Sequence, residues 1–391
     1  MIKVLTIGHL PKYVGGKQSS GLSNVIWNIC NSSNKTYKNF TFENRLLSTD
    51  LNSFYSKIDK TDIYGILNIF LIIIFPFHFL KLLYTSLNLY NKYNFNFFNT
   101  FFKLCLFIVV YKRYKPNYVH IHGTTSFIYT KALTTNTAIF IYTIHGITGN
   151  DINLNNTINN YLIENHINTL NFKCLTFVST QVRSEWIKLY GNIISPNEVI
   201  LNSCDYDLYK FENIYKKSKK IKIATIGSFS SLKGQDIVIQ SLIKSNIEFI
   251  YYCVGSSSVY DRNKYKKFNF FNKSKIIFIE YLPPKKLKYF YNALDYSILM
   301  SSSEGFGLVI LESIACGTPV IIPEYLPIVY EKNIIDKSNS IVLKSRDIDL
   351  LVNLFINIRN YSFNKHKISY SLNKTLNWEN ITHKYLNIYN E

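Results

Sequence analysis

Two glutamates eight positions apart bracket the residues of this chain that could do chemistry. Glu304 begins the segment EGFGLVILE, which contains two glycines and ends at Glu312. Glycines before an apolar helix let backbone N–H groups approach a ligand, and the amino end of a helix carries partial positive charge. The segment is therefore typical of a loop-and-helix site for a phosphorylated or polyhydroxylated ligand, with a carboxylate at each end.

The spacing of the two glutamates does not by itself form the acid/base pair of a glycosidase. If both lay on one helix, eight residues would separate them by about 12 Å along the axis and about 80° around it. Retaining glycosidases need carboxyl groups about 5 Å apart, and inverting ones up to about 9.5 Å apart. The structural alternative is that Glu304 caps the helix and Glu312 is a solvated helix carboxylate.

A second glycine-containing loop, residues 227–234, follows a predicted strand and precedes a predicted helix. Lys233 lies near the start of that helix, where a point charge and backbone N–H groups can hold a phosphate. The alternative is an ordinary surface turn with an exposed lysine. The candidate ligand-binding residues of this loop are Gly227, Ser228 and Lys233.

These segments resemble the Glu-x7-Glu motif of glycosyltransferase family 4, retaining enzymes of GT-B fold that use nucleotide sugars. The resemblance is carried by Glu304, Glu312, the Gly-Phe-Gly-Leu and Cys-Gly-Thr-Pro-Val segments, and Ala293-Leu294-Asp295. It implies that the loop after the first glutamate holds the donor sugar and that Glu312 binds the ribose hydroxyls. The donor-binding residues implied for that loop are Gly305, Phe306, Gly307 and Leu308.

The chain departs from the family at Ser228. Family members usually carry Gly-Arg, a few residues and then Lys-Gly in this loop, with Arg and Lys neutralising the donor diphosphate. Lys233 matches, but Ser228 stands where the arginine is expected, and a hydroxyl cannot carry its charge. Donor binding is therefore expected to depend more on Lys233, or on another cation that the sequence does not identify.

In the N-terminal half, the resemblance implies a role for Gly16, which follows the first strand, near the donor phosphate. His145 matches the family's histidine near the donor sugar, whereas His122 matches one that supports local structure. The histidines lack further ligands at metal-site spacing, so no metal is expected. The implied catalytic residues, none of them a nucleophile, are Glu304, His145 and Lys233.

The elements that position these residues form two series of short apolar runs alternating with helical periods. Such runs predict buried parallel strands with crossover helices, among them strands at 249–254 and 296–300 and helices at 236–245 and 285–294. The expected fold class is α/β of GT-B type, two Rossmann-like doubly wound domains facing across a cleft. We expect an acceptor-side domain at 1–205, a nucleotide-sugar-binding domain at 206–376, and a helix at 377–391 returning to the first domain.

The amino-acid composition limits the classes of molecule that the protein is expected to bind and the compartment in which it is expected to lie. The net charge of +19 over 391 residues favours an acidic partner, but no nucleic-acid-binding module is recognisable, so no nucleic acid is expected. Six cysteines without Cys-x-x-Cys spacing argue against disulfides and structural zinc, and fit a reducing cytosol. The amino-terminal segment lacks the apolar core of a signal peptide, which predicts that the protein is not secreted.

An apolar segment at 66–110 is the anomaly of the N-terminal half. Residues 66–83 approach the length of a membrane span, about 20 residues, but Asn68, Pro76, His78 and Lys81 interrupt them. Residues 97–110 are followed by a basic, aromatic run that suits anionic lipid head groups. We expect a helix lying in the membrane interface; internal packing and a true span are the alternatives.

The resemblance implies transfer of a sugar from a UDP- or GDP-linked donor, with retention and without cofactor or metal. The expected acceptor is lipid-linked, an undecaprenyl-diphosphate-linked saccharide of O-antigen, capsule or exopolysaccharide synthesis in a bacterium. That reaction predicts a cytoplasmic protein, peripheral on the inner face of the cell membrane. The alternatives are a non-catalytic GT-B scaffold at the membrane and a sugar-nucleotide epimerase. The sequence does not predict the oligomeric state.

Overall fold

The computed structural model describes residues 2–8, 10–11, 21–33, 38–42, 76–131, 139–147, 172–215, 218–266, 274–372 and 376–391. The chain divides into two compact units. The first unit comprises Met1–Leu201 and Trp378–Glu391, and the second comprises Asn202–Asn377. Within the described residues, each unit contains one six-stranded parallel sheet.

The sheet of the first unit has the strand order β2-β1-β3-β4-β5-β6. Its central strands read as uninterrupted apolar runs such as IFIYTI, and the last four residues of this strand are buried, as expected of a parallel strand covered on both faces. The strands are β1 (Lys3–Ile7), β2 (Lys38–Phe42), β3 (Tyr118–His122), β4 (Ile139–Ile144), β5 (Cys174–Phe177) and β6 (Asn197–Val199).

The helices of the first unit include the apolar segment that the sequence singles out. Residues 66–75 lie outside the described residues, and a helix begins at Pro76, where a missing N–H costs nothing. Among the described residues, none of the helices is both long and apolar enough to cross a bilayer. The helices are α1 (Gly21–Ser33), α2 (Pro76–Tyr93), α3 (Phe97–Tyr114), a 3-10 helix (Thr124–Lys131) and α4 (Thr180–Tyr190).

The sheet of the second unit has the order β12-β11-β10-β7-β8-β9. The first strand of this unit, β7, lies in the middle of the sheet. The chain then adds β8 and β9 on one side of β7, and β10, β11 and β12 on the other. The point between β7 and β10 is where such a sheet forms a ligand crevice at the carboxyl ends of its strands. The strands are β7 (Ile221–Ile226), β8 (Phe249–Val254), β9 (Lys275–Ile279), β10 (Tyr296–Ile298), β11 (Val320–Pro323) and β12 (Ser340–Leu343).

The helices of the second unit alternate with these strands. The core between them is apolar and includes Ile223, Tyr251 and Phe355, each fully buried. The helices are α5 (Gln235–Ser245), α6 (Val259–Lys266), α7 (Pro284–Ala293), α8 (Leu308–Ala315), α9 (Pro327–Tyr330), α10 (Ile348–Asn357), a 3-10 helix (Ile358–Asn360) and α11 (Lys365–Ser371).

The last helix, α12 (Trp378–Asn390), is part of the first unit. Its buried face carries Tyr385 and Tyr389. The Tyr389 hydroxyl forms a 2.6 Å hydrogen bond with Nδ1 of His120 in β3, and its ring stacks on Tyr118 at 5.5 Å between centroids. The tail that the sequence predicts as helical therefore completes the core of the first unit.

Candidate functional site

The loop 227–234 lies between β7 and α5, at the carboxyl end of the sheet. Gln235, the first residue of α5, is fully buried and determines the loop's shape. Its Nε2 donates to the carbonyl oxygen of Ser228 at 3.0 Å, and its Oε1 accepts from the N–H of Ser230 at 3.2 Å. The sequence reasoning missed Gln235, because a glutamine at a helix start has no local signal for burial.

Gly234 allows this loop to lie against the end of β10. Its φ of +68° is in the left-handed region, and a Cβ atom at this position would lie 2.3 Å from the carbonyl oxygen of Met300. The backbone N–H of Ser302 also donates to the carbonyl oxygen of Leu232 at 2.7 Å. The loops that follow β7 and β10 are thus held in direct contact.

Lys233 and Glu304, predicted from separate motifs, are brought together by this contact. Lys233 Nζ lies 2.5 Å from Oε1 of Glu304, and the two side chains are 28% and 12% exposed. The alternative that Lys233 is an exposed turn lysine is therefore wrong. Glu304 does not cap α8; it forms an ion pair with the cation expected to hold phosphate.

The loop after Glu304 leads into α8 through Gly307, which adopts φ +98° and contributes no side-chain cap. The amino end of α8 is therefore formed by backbone N–H groups, an arrangement that suits an anion. Phe306 is buried, so its backbone rather than its ring is the part available to a ligand. Gly305 and Leu308 flank these two residues in the same loop and helix start.

Glu312 lies on α8 with 7% of its surface exposed, so the alternative of a solvated carboxylate is wrong. The hydroxyl of Tyr291, on α7, donates to Oε2 of Glu312 at 3.0 Å. Burial raises the pKa of Glu312 to about 7, although the Tyr291 hydrogen bond acts in the opposite direction. Tyr291 was not predicted as a site residue, since nothing in its local sequence indicates a partner on another helix.

Other residues of the family resemblance have structural roles. Asp295 accepts from the backbone N–H of Lys222 at 2.7 Å and from the Tyr215 hydroxyl, at the amino ends of the strands. Gly317 has φ +76°, and a Cβ atom there would lie 2.4 Å from the carbonyl oxygen of Lys365. Asp295 thus joins the start of β10 to β7, and Gly317 allows the connection between α8 and β11 to pack against α11.

In the first unit, a group of histidines occupies the ends of β3 and β4. Nδ1 of His122 lies 2.9 Å from Nε2 of His145, and Nε2 of His120 lies 2.7 Å from Oγ1 of Thr143. His120 is fully buried in the sheet. Burial lowers the pKa values of all three imidazoles, to about 3 for His120, so the neutral forms dominate at pH 7.

His122 therefore supports His145 directly, because two neutral imidazoles at 2.9 Å require one to donate and the other to accept. The predicted loop residue Gly16 lies outside the described residues. Across the residues that the structure describes, no group of three or more His, Cys, Asp or Glu side chains is placed to hold a metal ion.

The second unit is similar in sequence to known glycosyltransferases. Residues 209–368 match the family model described as glycosyl transferases group 1. An uncharacterized glycosyltransferase of Methanocaldococcus jannaschii is 26% identical over 181 residues, 44% of this chain and 45% of that protein. The O-antigen biosynthesis glycosyltransferase WclY of Escherichia coli is 34% identical over 106 residues, 26% of this chain and 28% of that protein. The chain thus spans less than half the length of these curated relatives.

Solved structures resemble the chain over nearly all of its length. Sucrose-phosphate synthase from Thermosynechococcus elongatus superposes with a TM-score of 0.73 at 13% identity, covering 99% of this chain and 98% of that one. Anabaena HepE, in complex with UDP and glucose, gives a TM-score of 0.66 at 13% identity, with 99% and 100% covered. At such identities the likeness shows the fold, and it confirms the predicted α/β fold of GT-B type.

Proposed function

We propose that the protein is a glycosyltransferase that moves a sugar from a nucleoside diphosphate sugar to an acceptor hydroxyl. The observation that carries the proposal is the 2.5 Å pair of Lys233 and Glu304 between the loops after β7 and β10. It joins the two motifs at the switch point of a doubly wound sheet, where ligands of this architecture bind. The group 1 glycosyl transferase domain at 209–368 supports the same activity.

In the proposed reaction, the bond between the anomeric carbon and the diphosphate oxygen breaks, and the nucleoside diphosphate leaves with the electron pair. The acceptor oxygen bonds to the anomeric carbon, and its proton passes to the departing diphosphate, which carries the electron pair. Lys233 and the backbone N–H groups at the start of α8 stabilise the charge that develops on the leaving group. Glu312 holds the ribose hydroxyls, and Glu304 orients the sugar; for His145, in the first unit, the resemblance to family 4 implies the same role.

We further propose that transfer proceeds with retention and without a metal, as the resemblance to family 4 implies. The donor is UDP- or GDP-linked; the UDP and glucose in the HepE structure favour a uridine nucleotide as the first to test. An undecaprenyl-diphosphate-linked saccharide is the proposed acceptor, in bacterial O-antigen, capsule or exopolysaccharide synthesis. The similarity to WclY, an O-antigen biosynthesis enzyme, supports this class of acceptor.

A lipid-linked acceptor is supported by exposed apolar side chains on α2 and α3. Leu80, Tyr84 and Leu87 follow one another along one side of α2 and are 61%, 71% and 42% exposed. Phe98 and Phe102 are exposed one turn apart on α3. Together with the net charge of +19, these side chains favour peripheral binding to an anionic membrane surface, at the cytoplasmic face in the proposed reaction.

The deciding experiment is thermal unfolding of the purified protein with UDP, GDP, ADP or CMP. A ligand at about 100 times its Kd adds about 2.7 kcal/mol to the stability of the unit that binds it. We expect one nucleoside diphosphate to raise the Tm selectively and the Glu312→Ala variant to lose most of that rise. Glu248→Ala, which removes an exposed carboxylate from the amino end of β8, is the matched control. No rise with any nucleotide in a folded sample would favour the scaffold alternative.

A further inference from the structure

We propose that Arg346 supplies the second cation of the donor-diphosphate site, in place of the arginine that the family carries at Ser228. The inference rests on the proposed function and identifies a further binding residue of the same site. Its starting point is a charge deficit: the loop 227–234 contains Lys233 as its single cationic side chain, and Ser228 contributes no charge. A diphosphate needs more than one cation or an equivalent set of donors.

Arg346 lies in the connection between β12 and α10, distant in sequence from the loop 227–234 but in contact with it. Its Nη1 donates to the carbonyl oxygen of Ser231 at 3.1 Å, across 115 positions of chain. The second unit contains three arginines, Arg262, Arg346 and Arg359. Among the hydrogen bonds of the described residues, Arg346 is the one that joins a guanidinium to the loop.

The position of Arg346 is fixed by the packing of α10 against α5. Ser241 of α5 donates to the carbonyl oxygen of Ile348 at 3.3 Å, and Lys244 of α5 pairs with Asp349 at 2.5 Å. These contacts hold the start of α10 beside the loop that precedes α5. The guanidinium therefore lies beside the loop because of tertiary packing, and no local sequence pattern could have indicated it.

The charge of Arg346 is available to an anion. The neighbouring carboxylates are engaged elsewhere, since Asp347 accepts from two backbone N–H groups of α10 and Asp349 pairs with Lys244. Lys233, by contrast, is matched by Glu304. Within the described part of the chain, Arg346 forms no ion pair, and one of its five N–H donors is used on Ser231.

Arg346 also lies near the loop after β10. The Tyr325 hydroxyl donates to the carbonyl oxygen of Ser301 at 2.9 Å, in the serine run that leads to Glu304. The charge of Arg346 opposes the rise in the pKa of Tyr325 that burial causes. Leu232, next to the Ser231 carbonyl that Arg346 bonds, accepts from the backbone N–H of Ser302 in the loop after β10. The guanidinium thus bonds one of the two loops that the Lys233–Glu304 pair connects, beside the point where these loops meet.

The test compares the ligands uridine, UMP and UDP, with the guanosine series in parallel, by titration calorimetry at two salt concentrations. We expect Arg346→Gln to weaken UDP or GDP binding about 10- to 100-fold, as loss of a charge-assisted phosphate contact does, with nucleoside binding unchanged. The weakening should shrink at high salt, because part of it is electrostatic. Arg359→Gln is the matched control, since its guanidinium bonds the carbonyl of Lys219 at the amino end of β7.

A rescue variant separates a cationic role from a structural one. Adding Ser228→Arg to Arg346→Gln restores the family's arginine and should recover most of the lost diphosphate affinity. Equal losses for nucleoside and diphosphate, or diphosphate binding like that of the wild type, would overturn the inference while leaving the proposed function intact. If the folded wild-type protein binds none of the nucleotides, the proposed function and the inference both fail.

Discussion

The hydroxyl of Tyr291 donates a 3.0 Å hydrogen bond to Oε2 of Glu312, and both side chains are buried. The bond stabilises the carboxylate, but burial acts more strongly and raises the pKa of Glu312 to about 7. The other titratable side chains nearby include Cys204 and Cys316, whose pKa values burial also raises. The proposed ribose-binding carboxylate therefore titrates near neutral pH, with Tyr291 as its hydrogen-bond donor.

Nucleotide affinity is accordingly expected to rise with pH, because the ionised Glu312 is the better acceptor for ribose hydroxyls. Tyr291→Phe removes the bond that favours the carboxylate, so the midpoint of the rise should move to higher pH. Calorimetric measurement of UDP binding by the wild type and the variant from pH 5.5 to 8.5 determines this midpoint. The protonation of the UDP phosphate also changes over this range, but it affects both proteins equally. Tyr251→Phe, a buried tyrosine bonded to Thr225, is the control. An identical midpoint in Tyr291→Phe and wild type would contradict the role given to Tyr291.

Lys233→Ala should lower the affinity for nucleoside diphosphates about 10- to 100-fold, because it removes the loop's cation. Its effect on stability should stay within about 1 kcal/mol, since the pair with Glu304 is partly exposed. The matched control is Lys275→Ala, which removes an exposed lysine from the amino end of β9, away from the loops at the carboxyl ends of the strands. Binding assays on both variants distinguish the two cations, and equal affinities would argue against phosphate binding by Lys233.

Gly234→Ala should destabilise the second unit by about 3 kcal/mol or more. The substitution combines the cost of a left-handed residue, about 1 to 2 kcal/mol, with the overlap of its Cβ atom and the Met300 carbonyl. Asn246→Ala, at φ +55° and ψ +24° in the same left-handed region and with a Cβ atom already present, is the control for the conformational cost alone. Urea unfolding measures both, and similar losses would show that the close approach to Met300 is unimportant.

The first unit should lose stability in acid through its buried histidines. Burial lowers the pKa of His120 from its ordinary value of 6.5 to about 3. Between pH 3 and pH 6.5 this imidazole is therefore protonated in the unfolded chain and neutral in the folded one. Stability from this group is therefore present above about pH 6.5 and declines as the pH falls, by on the order of 3 kcal/mol at pH 4.

His120→Phe should flatten that pH dependence. At pH 7 it should also cost about 1 to 3 kcal/mol, because Thr143 and Tyr389 lose their partner. Unfolding of the first unit at pH 7 and pH 4 measures both effects. His383→Gln, an exposed substitution on α12, should leave the stability at pH 7 unchanged. An undiminished loss of stability in acid would show that His120 is not its source.

Binding to anionic membranes should depend on the exposed side of α2. Leu80→Ser with Tyr84→Ser should reduce cosedimentation with vesicles containing phosphatidylglycerol several-fold, because both apolar side chains are more than half exposed. Tyr330→Ser, which removes an equally exposed aromatic side chain from the second unit, is the control. If the double variant bound the vesicles as well as the wild type does, the proposal that α2 contacts the membrane would be contradicted.

Local pattern was sufficient to predict most of the second unit. The strand β8 has the predicted bounds, and α5 and α7 begin within one residue of theirs, because apolar periodicity and glycine turns are local properties. The strand predicted at 296–300 ends instead at Ile298, where the chain leaves the sheet to meet Gly234. That difference arises from a contact between two loops, which a periodicity does not encode.

The sequence was sufficient to predict the charged residues of the candidate site, but not the side chains that position them or bond to the same loop. Lys233 and Glu304 were recognisable from motifs, whereas Gln235, Tyr291 and Arg346 act through hydrogen bonds across the fold. The burial of Glu312 also depends on α7, a separate helix. Side chains of this kind have no distinguishing sequence neighbours, so their roles follow from tertiary structure alone.

The assignment of α12 to the first unit has a consequence for biosynthesis. The residues of the second unit all leave the ribosome before Tyr385 and Tyr389, which complete the core around His120. Domains fold as units during synthesis, so the second unit can close its sheet while the first still lacks its last helix. A nascent chain stalled before Trp378 would therefore leave uncovered the apolar surface of the first unit that α12 buries.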